Sequence, residues 1–319
     1  MEAQQRTSDR EKYRALIDRA VQAGSVRVAV AHPCDAVSLR GAVEAARMGL
    51  IRPILVGPQA RIRDVAAQNG LDISDLPLID AAHSHDAAAK AVEAVRKGEA
   101  EALMKGSLHT DELMGAVVSH ATGIRTERRI SHCFVMDVPG HEGALIITDA
   151  AVNIAPTLEE KVDIVQNAID LAHALGVAQA RVAILSAMET VNPKVPSTVE
   201  AAALCKMADR GQITGGVLDG PLALDNAISP EAAAVKQIVS PVAGRANVLV
   251  VPDLEAGNML AKSLSFLAGA DCAGVVLGAR VPIILTSRAD SLVTRHASCA
   301  VAVLMAAARR AKTAAAAAA

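Results

Sequence analysis

Aromatic side chains are almost absent from this chain. Its 319 residues include no Trp, one Tyr and two Phe. Proteins that hold single-stranded nucleic acid stack its bases on aromatic side chains, so this scarcity argues against that class. The formal net charge is only -2, which provides no long-range attraction toward DNA or an anionic membrane. We therefore predict partners that are small molecules, with no nucleic acid and no membrane among them.

Long apolar runs and paired cysteines are also lacking. No apolar run reaches the roughly 20 residues that span a bilayer, and the polar segment 1–19 does not resemble a signal peptide. The five cysteines are odd in number and scattered, with no Cys-x-x-Cys pair. This spacing predicts reduced thiols, with neither a disulfide framework nor a zinc site. We expect a cytoplasmic protein that binds no metal.

Three common catalytic or nucleotide-binding motifs are missing. The chain has no Gly-x-Ser-x-Gly nucleophile elbow, no Walker loop and no Gly-x-Gly-x-x-Gly fingerprint. Hydrolase, nucleoside-triphosphatase and dinucleotide-dependent interpretations therefore lose their usual support.

What the chain does contain is an alternation of short β-branched runs with helical stretches. Such alternation predicts parallel sheets covered by helices on both faces. Two apolar runs, 130–138 and 144–149, flank a Pro-Gly-containing turn, which predicts an antiparallel hairpin. With 52% apolar residues and this length, we predict an α/β protein of two doubly wound, three-layer α/β/α domains, the second with a mixed sheet. The expected first domain is 1–127 and the second 128–290, and the last helix, 291–319, is expected to pack back on the first domain.

Ligands in doubly wound sheets bind beyond the carboxyl ends of strands, and four segments place polar residues there. Lys105-Gly106-Ser107 follows a strand and offers free amide hydrogens and a cation to an anion. The alternative is an ordinary turn with a solvated lysine. The second segment carries Arg129 followed by Ser131 and His132, which can grip a phosphate or form a charged linker between domains.

The third and fourth segments lie in the second half of the chain. Asp219 ends a predicted strand, and Asn226 and Asn258 are polar groups that either bind a ligand or cap helices. Ser287-Arg288, with Asp290 two residues on, opens the last helix. A cation is poorly placed against the helix dipole there, so Asp290 or a bound phosphate must compensate.

Several segments, taken together, resemble the phosphate acetyl/butyryltransferase family, and the butyryl branch more closely. They run in the family's order over most of the chain: residues 104–106, 129–132, 148–156, 191–194, 219–226, 242–244, 255–258 and 285–291. The resemblance implies two α/β domains with the active site in a cleft, a homodimer, and a reaction without a metal or a bound cofactor. Coenzyme A is then a substrate, and acyl-CoA and phosphate are in equilibrium with acyl phosphate and CoA.

The resemblance also implies site residues. Ser287 and Arg288 match the catalytic Ser-Arg pair of acetyl members. The catalytic Asp of those members falls near Thr294 here, where there is no carboxylate, so Asp290 is the candidate base. Substrate-binding roles are expected for Lys105, Gly106, Ser107, Arg129, Ser131, His132, Asp219, Asn226 and Asn258.

For the chemistry, we expect Asp290 to take the CoA thiol proton, Arg288 to bind phosphate, and Ser287 to donate a hydrogen bond to the reacting group. The acyl group then moves within a ternary complex. Three alternatives are open: an acyl-enzyme on Cys133, a non-catalytic acyl-CoA binding protein, and a decarboxylating dehydrogenase of related fold.

Overall fold

The chain divides into two compact units. A computed structural model describes residues 2–286 and 290–318, with side chains over 12–286 and 290–317. Unit 1 comprises residues 1–128 and 273–319, and unit 2 comprises 129–272. The first boundary lies one residue from the predicted one. The second differs, because residues 273–290 were expected in the second domain and belong to unit 1.

Unit 1 is built from alternating strands and helices. Its strands are β1 (Val26–Ala31), β2 (Ile51–Gly57), β3 (Leu78–Asp80), β4 (Ala102–Lys105), β10 (Asp271–Leu277, most of which belongs to this unit) and β11 (Ile283–Ile284). Its helices are α1 (Glu2–Gln22), α2 (Ala36–Arg47), α3 (Gln59–Gln68), α4 (Ser84–Arg96), α5 (Thr110–Val118) and α11 (Leu292–Ala318).

The sheet of unit 1 has the strand order β3-β2-β1-β4-β11-β10. All neighbours are parallel except β10 and β11. The chain moves from β1 toward β3 and then returns to place β4 on the other side of β1. Connections therefore leave β1 and β4 in opposite directions at their carboxyl ends, which is where such sheets bind ligands. Asp35 caps α2, since its carboxylate accepts from the Ser38 amide at 2.7 Å.

Unit 2 contains the predicted hairpin. Its strands are β5 (Ser131–Asp137), β6 (Leu145–Thr148), β7 (Ala180–Leu185), β8 (Gly216–Leu222) and β9 (Val248–Val250). Its helices are α6 (Leu158–Ala174), α7 (Pro196–Asp209), α8 (Leu224–Ile228), α9 (Pro230–Val235) and α10 (Leu254–Leu267). The strand order is β5-β6-β9-β7-β8, and only the β5–β6 pair is antiparallel. The predicted mixed sheet is therefore confirmed.

Two elements of unit 2 differ from the sequence prediction. Strand β8 runs on to Leu222, so Asp219 lies inside the strand and not at its end. Helix α10 begins at Leu254 and is capped by Asp253, whose carboxylate accepts from the Ala256 amide at 2.9 Å. Asn258 is therefore an internal residue of α10 and does not cap it.

Helix α11 is the longest element among the described residues. By length and composition, the segment Leu292–Ala317 is long and apolar enough to cross a membrane. The sequence was expected to contain no such segment. Within the described residues, 72% of its apolar window is buried in the protein. Burial of this extent is typical of a core helix.

Candidate functional site

The turn after β4 lies at the carboxyl edge of unit 1. Lys105 is 5% exposed, and its Nζ lies 3.3 Å from the carbonyl oxygen of Gly106. A Cβ on Gly106 would approach the His32 carbonyl oxygen to 2.5 Å and collide with that of Ala31 as well. The predicted close backbone approach at Gly106 is therefore present, and only glycine fits it.

The backbone amides of this turn are already used. Gly106 donates to the Ala31 carbonyl at 2.9 Å, and Ser107 donates to the His32 carbonyl at 2.9 Å. The expectation that both amide hydrogens are free for an anion is wrong, because the turn is tied to the end of β1. A ligand at this edge is left with the side chains.

Ser107 holds the segment that follows β1. Its hydroxyl donates to the His32 carbonyl at 2.8 Å, lies 3.0 Å from His32 Nδ1, and accepts from the Cys34 amide at 3.3 Å. The hydroxyl thus contacts three groups of the segment that follows β1. Ser107 therefore positions His32 in this structure.

His32 was not among the predicted site residues. It has a φ of 54°, which is uncommon for a residue with a side chain, and it is 9% exposed. Burial lowers the pKa of its imidazole, and the positive charge of Arg61 lowers it further. The signal in the sequence was a histidine directly after a buried strand, but its partner lies 75 residues away.

Ser287 and Arg288 lie outside the described residues, whereas Asp290 is described and half-buried. The residue that caps α11 is Ser291, whose hydroxyl accepts from the Thr294 amide at 3.1 Å. Thr286, at the end of β11, is buried and accepts from Arg295 Nη1 at 2.9 Å. The first turn of α11 is therefore fastened to the carboxyl edge of the unit 1 sheet.

In unit 2, the Asp149 carboxylate organises the carboxyl edge of β6. Its Oδ1 accepts from the amides of Ala151 and Val152 at 2.9 and 3.0 Å. Its Oδ2 accepts from the amides of His132 and Asn153, both at 3.2 Å, and from Asn153 Nδ2. Asp149 and Asn153 were not predicted as site residues, although both lie in the 148–156 segment. Because one buried carboxylate accepts from five donors, Asp149 fixes the conformation of the loop that follows β6.

Two guanidinium nitrogens of Arg129 have partners beside this loop, and the side chain is 49% exposed. Its Nε donates to Asn153 Oδ1 at 2.7 Å, and its Nη1 pairs with Glu160 at 2.9 Å. Its amide donates to Asp163 at 2.7 Å. Asn153 and Glu160 hold the guanidinium and Asp163 holds the backbone amide, so Arg129 is tied to unit 2 at both its side chain and its main chain.

Ser131 and His132, the first residues of β5, are almost completely buried. Asn167 Nδ2 donates to the Ser131 hydroxyl at 2.9 Å. The His132 ring stands edge-on to Phe134, with ring centroids 4.4 Å apart, and its Nδ1 has no hydrogen-bond partner among the described residues. Burial lowers the pKa of His132 to about 4, against the opposing effect of Asp149.

The other predicted residues of unit 2 are separated from one another. Asn258 Nδ2 donates to the Ala150 carbonyl at 3.2 Å, which brings it to the Asp149 loop. Asp219 accepts from the Gly220 amide at 2.8 Å inside β8. Asn226 is buried in α8 and donates to Glu189, which also pairs with Lys236 at 2.7 Å. The structure thus groups Arg129, Ser131, His132 and Asn258 around one loop.

Over residues 2–286 and 290–318, no group of three or more His, Cys, Asp or Glu side chains has a geometry that could hold a metal ion.

Similarity to known proteins indicates the family to which the residues at these two carboxyl edges belong. A family model described as "Phosphate acetyl/butaryl transferase" matches residues 79–303. The chain is 68% identical over 300 residues to a phosphate acetyltransferase of Rhizobium meliloti, covering 94% of this chain and 95% of the relative. It is 41% identical over 280 residues to a phosphate butyryltransferase of Clostridium acetobutylicum, covering 88% of this chain and 93% of the relative.

A solved structure is similar over most of the chain. It is a branched-chain phosphotransacylase from Enterococcus faecalis, with a TM-score of 0.78 and 30% sequence identity, covering 88% of this chain and 99% of the other. The range matched by the family model, 79–303, includes Lys105 and Arg129. The motifs pointed more closely to the butyryl branch, whereas identity is higher to the relative named for acetyl transfer.

Proposed function

Because the chain belongs to the phosphate acetyl/butyryl transferase family, we propose that it exchanges an acetyl group between CoA and inorganic phosphate. The observation that carries this proposal is the 68% identity to a phosphate acetyltransferase over 94% of the chain. The reaction interconverts acetyl-CoA plus phosphate with acetyl phosphate plus CoA. Butyryl is the second candidate acyl group, supported by the 41% identity to a butyryltransferase.

The proposed chemistry needs no nucleophile from the protein. In the direction that consumes acetyl phosphate, the CoA sulfur bonds to the acyl carbon, the carbon–oxygen bond to phosphate breaks, and phosphate leaves. Asp290 takes the thiol proton, Arg288 binds the phosphate, and Ser287 donates a hydrogen bond to the reacting group. The cap of α11 is Ser291, so capping does not account for a carboxylate at Asp290. This supports the role of Asp290 as the base.

Direct transfer in a ternary complex is preferred over an acyl-enzyme on Cys133. Cys133 is completely buried, and burial raises the pKa of its thiol to about 12. A nucleophilic cysteine needs a substantial thiolate fraction and access to substrate. Cys133 has neither property in this fold.

Lys105 is the stronger of the two secondary phosphate ligands. It stands at the carboxyl edge of β4, whereas Arg129 is held by Asn153, Glu160 and Asp163. Acyl-CoA and phosphate are the proposed partners, CoA being a substrate and not a resident cofactor. Neither a bound cofactor nor a metal is part of the proposal, since an arginine and a lysine can neutralise the phosphate.

The proposed assembly is a cytoplasmic homodimer. Helix α10 exposes Met259, Phe266 and Leu267, of which the last two are more than 80% exposed. Apolar side chains of this size commonly mark a contact surface. No disulfide links the five cysteines, which agrees with a reducing compartment.

The acyl preference is tested by measuring CoA-dependent consumption of acetyl phosphate and butyryl phosphate side by side. We expect a higher kcat/KM for acetyl phosphate. A higher value for butyryl phosphate would assign the chain to butyryl transfer, and turnover of neither would overturn the proposed function.

A further inference from the structure

Arg295 is a charged side chain that lies in the interior of unit 1. It is the fourth residue of α11 and is only 3% exposed. Arginine is rarely buried to this extent, because removal of its charge from water is costly. The start of a helix is also its positive end, where a cation is disfavoured. An arginine is therefore kept at this position against two unfavourable contributions to stability.

Helix α2 makes room for the Arg295 side chain. A Cβ on Gly41 would lie 3.1 Å from Arg295 Cδ, so alanine there would push the arginine stem aside. Gly41 lies inside α2, where glycine is a poor helix former. The glycine in α2 and the arginine in α11 thus belong to one packing arrangement.

Arg295 is bonded to both ends of the catalytic segment, by which we mean residues 287–290. Its Nη1 donates to the hydroxyl of Thr286, which is itself 3% exposed, at 2.9 Å. Its backbone amide donates to the Ser291 carbonyl at 3.1 Å. Thr286 directly precedes the catalytic segment and Ser291 directly follows it. One buried residue therefore holds the points at which the segment starts and ends.

The catalytic segment starts at the same edge of the sheet as Lys105, the proposed phosphate ligand. Strands β4 and β11 are parallel, and Ile284 lies opposite Met104. Both strands therefore lead to one edge, β4 to Lys105 and β11 to Thr286. A displacement of Thr286 would move the start of the catalytic segment relative to Lys105.

We propose that Arg295 is a positioning residue for acyl transfer, which acts by fixing Thr286 through the hydrogen bond from Nη1 to Oγ1. This inference rests on the proposed function, in which the catalytic segment contacts the reacting groups. Arg295 acts through Thr286 and not on the substrate, because its side chain is buried. A displacement of about 1 Å in a reacting group can cost about 100-fold in rate. The rate should therefore depend on this buried hydrogen bond.

The test separates the hydroxyl of Thr286 from its methyl group. Thr286→Val keeps the shape of the side chain and removes the acceptor, whereas Thr286→Ser keeps the acceptor and removes the methyl group. The measurement is kcat/KM for phosphate, followed as CoA release from acetyl-CoA. We expect a loss of about tenfold or more in Thr286→Val and a change within about twofold in Thr286→Ser. Unfolding midpoints are measured for both, since each variant loses one buried interaction.

Arg295→Met removes the other partner of the same hydrogen bond and should lower kcat/KM about as much as Thr286→Val. If Arg295 acts through Thr286, the double variant should be no slower than the slower single variant. The matched control is Arg309→Met in the same helix, where Nη1 and Nη2 donate to the carbonyls of Arg280 and Ala279 at 2.5 and 2.8 Å. It should lower the unfolding midpoint and leave kcat/KM unchanged.

Equal kcat/KM in folded Thr286→Val and Thr286→Ser enzymes would overturn the inference while leaving the proposed function intact. Losses that multiply in the double variant would overturn it as well, because Arg295 would then act by another route. If Arg295→Met does not fold, the two Thr286 variants decide by themselves. Absence of phosphate-dependent turnover in the unmodified enzyme would instead overturn the proposed function.

Discussion

The Ser291 hydroxyl accepts a hydrogen bond from the Thr294 amide at 3.1 Å and so caps helix α11. Ser291 also donates to the Thr294 hydroxyl at 3.2 Å, and its carbonyl accepts from the Arg295 amide at 3.1 Å. The helix start is therefore satisfied by the residue after Asp290. The Asp290 carboxylate is therefore not required as the cap. A substitution of Asp290 can test its role in catalysis without removing the helix cap.

Asp290→Asn should lower kcat far more than it changes KM, because the lost interaction belongs to the transition state. Turnover should recover partly as the pH approaches about 8.5, where the CoA thiol ionises without help. The melting temperature should stay close to that of the unmodified protein.

The matched control for Asp290→Asn is Ser291→Ala. It should cost about 1 kcal/mol of stability through loss of the cap while keeping most of the turnover. Normal kcat in Asp290→Asn would place the base elsewhere.

Arg288→Ala is expected to reduce turnover by about 100-fold or more, in line with the loss of one donor to a developing oxyanion. Arg288 lies outside the described residues, so this prediction rests on its match to the family's Ser-Arg pair. The unfolding midpoint serves as the control for a folded variant. Full activity in a folded Arg288→Ala enzyme would remove Arg288 from the mechanism.

Gly106→Ala should destabilise the protein by about 1–3 kcal/mol or prevent folding, because the new methyl group meets the rigid carbonyls of Ala31 and His32. Gly115→Ala in α5 is the control, since nothing lies within 4 Å of its Cβ position. Alanine there should be neutral or stabilise by up to about 1 kcal/mol. Equal denaturation midpoints for the two variants would contradict the close approach at Gly106.

His132 should make stability fall as the pH drops. Its pKa is about 4 in the folded protein and near 6.5 when unfolded, so the unfolded state binds the extra proton first. The stabilisation is complete above about pH 6.5 and is lost toward pH 4, at up to about 1.4 kcal/mol per pH unit. His132→Phe removes the titrating group, so its denaturation midpoint should depend less on pH in that window. Parallel pH profiles for the two proteins would exclude His132 as the cause.

Local patterns predicted most of the architecture. The alternation of strands and helices and the β5–β6 hairpin each depend on residues close in sequence, and each is present in the structure. What failed depends on distant contacts. Ser107 lies 75 residues from His32, so the sequence revealed neither the occupied amides of the turn nor the orientation of the His32 ring.

In unit 2, too, local patterns predicted the candidate residues but not the distant residues that position them. Residues 129–132 were selected because Arg, Ser and His stand together, but Asp149 and Asn153, which hold that segment, come from the following strand and loop. The cap of α10 was misplaced because Asp253 and Asn258 are both good capping residues, and only the tertiary structure decides between them.

The most direct test of acetyl transfer between CoA and phosphate is the release of free CoA thiol from acetyl-CoA by the purified protein, measured with and without phosphate. Acetyl phosphate is quantified in the same samples. The account predicts that thiol release depends strictly on phosphate and matches acetyl phosphate mole for mole. Thiol release without phosphate, or without acetyl phosphate, would contradict it.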